Sequence, residues 1–190
     1  MAETSAARGK VILGMAMSLD GFVSDRNGDL GSIYRDFGKL MESEVVQEYI
    51  RTTGAVVMGR RAYDMAQGDF TGYEFQVPIF VLTHEVPNEV AKGENERLSF
   101  TFVTDGIDRA IERAKAAAGE KDVVAIGGAS TAQQGLRAGL FDEIEIDLAP
   151  ILLGDGLRLF DNTGAEPIEL ERVRVVADDW FTHLRFRVVK

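Results

Sequence analysis

Val123-Val-Ala-Ile-Gly-Gly-Ala-Ser-Thr131 is a short apolar run that breaks on two adjacent glycines and passes straight into a helix-forming stretch reaching about Ala138. A four-residue apolar run bounded by glycine reads as a buried strand. A buried strand that feeds a helix through a tight turn is the unit from which parallel, helix-flanked sheets are built. Gly127 and Gly128 allow the backbone to lie close against an anion, and Ala129, Ser130 and Thr131 stand at the helix's positive end, the last two with hydroxyls. The spacing is not G-x-G-x-x-G, and a double glycine at a strand end also serves as a plain turn.

Upstream, the same unit recurs. Val56-Val-Met-Gly-Arg-Arg61 ends the apolar run 55–58 on Gly59 and opens a short helix through Met65. Gly59 permits a tight turn, and Arg60 and Arg61 on the helix start can grip phosphate in a forked geometry. The alternative is two solvated surface arginines. Val77-Pro-Ile-Phe-Val-Leu-Thr83 is a further apolar strand that delivers Thr83 and His84 to its carboxyl end, where His84 is either near a phosphate or simply exposed. Lys10–Met17 is a buried strand ending at Ser18-Leu-Asp-Gly21, and 24–28 is dense in turn residues. Phe37, Leu40, Met41, Val45, Tyr49 and Ile50 recur at helical spacing, predicting one helix closed by Gly54. Segment 88–97 is polar and loop-like, and 99–103 alternates as a strand. Asp105 or Asp108 caps a helix over 107–118 that Gly119 closes.

Downstream, Glu143-Ile-Glu-Ile-Asp-Leu148 alternates, with Ile144, Ile146 and Leu148 on one face. Strands over 171–176 and 181–188 pair through the turn 177–180. His183 lies in this hairpin with no evident partner. Strand–helix units followed by an antiparallel ending predict an α/β fold: a mostly parallel central sheet flanked by helices, with the C-terminal hairpin at one edge.

Bulk properties bound the function. The 190 residues suffice for one domain over 10–190, and residues 1–9 read as a flexible tail lacking the apolar middle of a secretory signal. No apolar run approaches the roughly 20 residues of a membrane span. There are no cysteines, which excludes disulfides and thiolate metal sites and agrees with the cytoplasm. A net charge of −10 argues against a nucleic-acid surface. It also means that an anionic ligand would need a locally positive pocket, which the arginines at 60 and 61 supply.

Taken in register, Met15–Gly21, Met58-Gly-Arg60, Gly127-Gly128 and Leu148-Ala-Pro-Ile-Leu-Leu-Gly154 resemble the dihydrofolate reductase superfamily. The similarity is greatest to the reductase domain of the bifunctional deaminase-reductases of riboflavin biosynthesis, whose "AP-x-LLG" stretch the last segment matches. The resemblance covers about residues 10–188 and implies the three-layer dihydrofolate reductase-like fold. It also implies reduction by NADPH of an imine-type bond in a small heterocycle, with a ribosylaminouracil as leading substrate class. By position, Arg60 and Arg61 would meet the cofactor phosphates, with Thr83 and His84 nearby. Residues 127–131 would hold the pyrophosphate, and Ala16 would touch the nicotinamide. Ser18 and Asp20 would line the reacting end, with Asp20 the candidate catalytic carboxylate or, alternatively, the residue that shapes its turn. Asp36 is a second substrate candidate or the N-cap of the first helix.

Two departures stand out. Riboflavin-type reductases usually carry Glu before the glycine pair, where this chain has Ile126, as dihydrofolate reductases do. The proline- and tryptophan-rich loop of true dihydrofolate reductases is absent from 24–32. The zinc-deaminase half has no counterpart here, which implies a reductase acting by itself. A pterin or folate reductase and a non-catalytic NADP-binding protein remain the rival expectations. The exposed hairpin edge, together with the resemblance, implies a homodimer.

Overall fold

The computed structural model describes residues 9–190; the expected tail lies, but for Gly9, outside the described residues. The elements in chain order are β1 (Val11–Ser18), β2 (Phe22–Ser24), α1 (Phe37–Glu42), α2 (Glu44–Thr52), β3 (Thr53–Gly59) and α3 (Arg60–Met65). They continue with β4 (Ile79–Leu82), β5 (Phe100–Val103), α4 (Ile107–Ala118), β6 (Asp122–Ala125) and α5 (Ala129–Arg137). The chain ends with β7 (Glu143–Ala149), β8 (Leu157–Arg158), β9 (Leu170–Ala177) and β10 (Thr182–Val188). One sheet runs β5-β4-β3-β6-β1-β7-β10-β9. From β5 to β7 every pairing is parallel, and β10 and β9 add antiparallel at the edge, so the predicted α/β architecture holds.

Alternation within the strands builds the layers. Val11 and Leu13 of β1, Val57 of β3, Val123 of β6 and Ile144 and Ile146 of β7 pack with Ile111 of α4 and Leu136 of α5 in one buried cluster. The intervening residues face the other way: Val56 and Met58 meet Tyr63 of α3, while Ala16 meets Leu40 of α1. Each fully buried aliphatic side chain contributes about 1.5–3 kcal/mol, so a strand buried on both faces needs the near-continuous apolar runs seen in the sequence.

The structure corrects the sequence reading in four places. The single helix through Ile50 is two, because Ser43 is extended (φ −62°, ψ 129°). Its N–H bonds Leu40 O and its carbonyl accepts from Gln47 N, so one residue ends α1 and starts α2. Gly54 does not close that helix but lies within β3, where the Ala118 carbonyl leaves no room for a side chain. Neither Asp105 nor Asp108 caps α4: the N-cap is Gly106, and Asp105 pairs with Arg113 at 2.7 Å. A two-stranded ribbon of β2 and β8, for which the sequence reading assigned no strands, lies apart from the main sheet. Among the described residues no helix is long and apolar enough to cross a membrane.

Candidate active site

A cavity of about 640 Å³ opens at the carboxyl ends of the central strands, within the size range of small-molecule sites. Gly14 and Ala16 of β1, Met58 of β3, Ile126, Gly127 and Gly128 after β6, and Arg61 of α3 form one side. Tyr34, Phe37, Tyr49, Tyr73, Glu74, Glu145 and Asp147 contribute elsewhere, within an otherwise mainly apolar wall.

The glycine junction is built as a cradle. Gly127 and Gly128 adopt φ +75° and +85°, a region that side-chain-bearing residues rarely enter. A Cβ on Gly127 would overlap the Ala62 methyl, and one on Gly59 would stand 2.7 Å from Thr131 Oγ1. No side chain caps α5, whose N-cap is Gly128, so its first amides face the junction without a side-chain acceptor. An uncapped helix start beside a backbone without side chains suits an anion, and these residues fit the pyrophosphate of a dinucleotide. Ala129 and Thr131 are buried; Ser130 is exposed and accepts from Gln134 Nε2.

The two arginines diverge. Arg61 lines the cavity beside Gly28. Arg60 instead bonds Asp64 through Nε at 2.8 Å and donates through Nη1 to the Glu85 carbonyl at 3.2 Å. The Thr83 hydroxyl donates to that same carbonyl at 2.8 Å, so Arg60 and Thr83 share one anchor at the end of β4, with exposed His84 between.

Ser18, Asp20 and Asp36, expected at the reacting end, are not in the cavity wall. Ser18 is fully buried, donates to Asp20 at 2.6 Å and accepts from the Phe22 amide. Asp20 also accepts from the amides of Leu153 and Gly154, tying the β1 turn to the loop after β7. The Ser18 hydroxyl above all, aided by those two amides, outweighs the opposing effect of burial and holds the Asp20 carboxyl down to about 2. Asp36 is exposed and caps α1 by accepting from Lys39 N at 3.2 Å.

Glu145 and Asp147, carboxylates that do reach the cavity along with Glu74, were not singled out in the sequence. Glu143, Glu145 and Asp147 share the face of β7 opposite its apolar stripe, and β10 sets Arg187, Arg185 and His183 directly across from them. His183, read as partnerless, is 2 % exposed and held between Asp147 (Nδ1–Oδ1 2.5 Å) and Asp178 (Nε2–Oδ2 2.8 Å). Burial opposes its charge, yet the two carboxylates prevail and raise it to about 9. Glu145 is 6 % exposed, and burial, reinforced by Asp147 and opposed by Arg185, lifts it to about 7. The available signal was the alternation of acids on β7 with bases on the last strand, a pattern that also reads as two solvated faces.

Comparison with known proteins bears on this geometry. The chain is 26 % identical over 157 residues, 80 % of each protein, to the uncharacterized protein YyaP of Bacillus subtilis (strain 168). Its fold superposes with a TM-score of 0.78 on a putative riboflavin biosynthesis protein from Shewanella sp. PV-4, at 24 % identity over 95 % of this chain and 99 % of that one. Dihydrofolate reductase from Enterococcus faecalis, solved with NADP(H), gives a TM-score of 0.61 at 17 % identity over 96 % and 98 %. The three-layer dihydrofolate reductase-like fold is thereby shown. Residues 9–182 match the RibD C-terminal domain across almost the whole described sheet, and the chain belongs to that family.

Proposed function

We propose that the chain is an NADPH-dependent oxidoreductase that reduces a C=N bond in a small heterocycle, with a ribosylaminouracil as the leading substrate. The observation that carries this reading is one cavity joining an uncapped helix start and glycine cradle to a pocket walled by aromatic and carboxyl groups. Membership of the RibD C-terminal family supports it, as does the likeness in fold to a protein named for riboflavin biosynthesis and to a reductase solved with NADP(H).

In this reading, residues 127–131 hold the pyrophosphate, and Arg61 stands over the phosphates from the cavity side. Arg60, Thr83 and His84 meet the adenosine 2′-phosphate. Ala16 presents its backbone to the nicotinamide, which supplies hydride when bound. The protein's share is positioning and exclusion of water. Ser18 and Asp20 act one step back, by holding the 149–154 loop at the mouth, and Asp36 steadies α1 beside it. Residues 10–190 act as one domain, as a homodimer in the cytoplasm.

Ile126 before the glycine pair favours a second reading, a pterin or folate reductase. Loss of the reduced-nicotinamide absorbance on mixing protein, NADPH and either the aminouracil or dihydrofolate separates the two. Turnover of the aminouracil is expected; turnover of dihydrofolate alone would replace the first reading with the second. NADPH binding without oxidation by either substrate would make the chain a binding protein.

A further inference from the structure

Building on the reductase reading, we infer that Glu145, Asp147 and the Tyr49 hydroxyl form the substrate subsite for a cyclic amide or amidine edge, with Glu145 delivering the proton that accompanies reduction. The argument begins at β7, where the two acids are separated by one residue and so share a face. Both line the cavity. Glu145 Oε2 is buried with no hydrogen-bond partner, its one charged neighbour there being Arg185, whose Nη1 forms an ion pair with it at 3.3 Å. The Tyr49 hydroxyl is likewise buried and unpartnered.

A glycine brings these orphaned groups to one place. Gly14 of β1 is the register partner of Glu145, and a Cβ there would overlap the Tyr49 hydroxyl. Buried polar atoms are almost always satisfied in folded proteins. A carboxyl oxygen and a phenol that lack hydrogen-bond partners, on two residues lining one cavity, therefore mark where a ligand's polar edge belongs. A protonated carboxyl offers one donor and one acceptor, matching a ring N–H beside an O or N acceptor.

The surrounding charges suit a proton donor. Facing Glu145 are Asp147 on its own strand, Arg185 and His183 on β10, Arg174 on β9 and Tyr49 on α2. Arg185 is also engaged by Glu143, and Arg174 by Glu48. Burial, helped by Asp147, outweighs the opposing Arg185, and the Glu145 carboxyl rises to about 7, so near neutrality it can both hold and release a proton. Asp147 is fixed by His183, which makes His183 a positioning residue.

In the step itself, the substrate carbon accepts hydride from the reduced nicotinamide as the C=N π pair moves onto nitrogen. That nitrogen takes the Glu145 proton. The products are the amine, NADP+ and the Glu145 carboxylate, which regains a proton from solvent.

The test uses 5,6-diaminouracil as a probe, with calorimetric binding to wild type, Glu145→Gln, Asp147→Asn and Tyr49→Phe, alongside NADPH titration. The probe is expected to bind wild type and to weaken about tenfold in the two acid variants and severalfold in Tyr49→Phe, with NADPH affinity unchanged within about twofold. Single-turnover reduction by Glu145→Gln should fall about a hundredfold and lose its pH limb near 7. No probe binding to wild type, or equal binding to all four proteins, overturns the subsite. Tyr49→Phe removes a hydroxyl that makes no bond in the fold, so it decides the matter should an acid variant fail to fold. If wild type ignores NADPH while probe binding still depends on these residues, the subsite stands and the reductase reading falls.

Discussion

Arg60 and Arg61 are neighbours in sequence with different surroundings. Arg60 is tethered to Asp64 and to the carbonyl that Thr83 also bonds, while Arg61 borders the cavity. Only NADPH carries a 2′-phosphate, so Arg60→Ala should weaken NADPH about tenfold, close to 1.4 kcal/mol, and leave NADH nearly unchanged, as measured by calorimetry. Equal loss for both cofactors would assign Arg60 to the shared pyrophosphate. Asp20 invites a different expectation. Its oxygens accept from Ser18, Leu153 and Gly154, so Asp20→Asn should loosen the 149–154 loop, seen as faster amide exchange at Leu153 and Gly154, before it affects hydride transfer. The sequence exposed the glycine cradle and the arginines because strand-to-helix junctions announce themselves. It hid Glu145 and Asp147 because an acid on alternate strand positions looks the same whether solvent or a cavity lies above it; only the packing of α2 over that face decides.

Within α5, Gly135 sits where helix propensity alone would favour alanine by about 1 kcal/mol. A Cβ there would overlap the Phe141 ring, which is 1 % exposed and has nowhere to move. Overpacking of a close-packed core costs about 1–3 kcal/mol, so the clash outweighs the propensity gain. Gly135→Ala should lower the urea midpoint without altering the slope, whereas a raised midpoint would mean that the ring yields. The same interplay explains what the sequence conveyed about elements. Strands β1, β3 and β6 were readable because burial on both faces forces unbroken apolar runs. The break between α1 and α2 was not, because Ser43, extended between them, carries no proline or glycine signal. The cap of α4 was misassigned because Asp105, a good capping residue by type, is drawn to Arg113.

At the scale of the whole molecule, the charged face between β7, β10 and β9 sets how stability responds to pH. The His183 pKa is raised from 6.5 to about 9, so its stabilisation is fully present below 6.5 and disappears as pH climbs through 9. Glu145, raised from 4.5 to about 7, is folded most comfortably when protonated; its contribution is present below 4.5 and lost as pH rises through 7. The two act in the same direction. Asp178 and Glu143, both lowered, act oppositely, but their contributions are complete above the ordinary carboxylate range and add no slope at alkaline pH. Stability should therefore fall between pH 6 and 9.5 by about 3 kcal/mol from His183 alone, roughly 6–12 °C in Tm for a chain of this size. Replacing His183 with Gln should lower Tm at pH 6 and flatten the curve above pH 7, because the variant has no imidazole to discharge. A thermal-melt series that stays as steep in His183→Gln as in wild type would show that the alkaline slope arises elsewhere than in the Asp147–His183–Asp178 bridge.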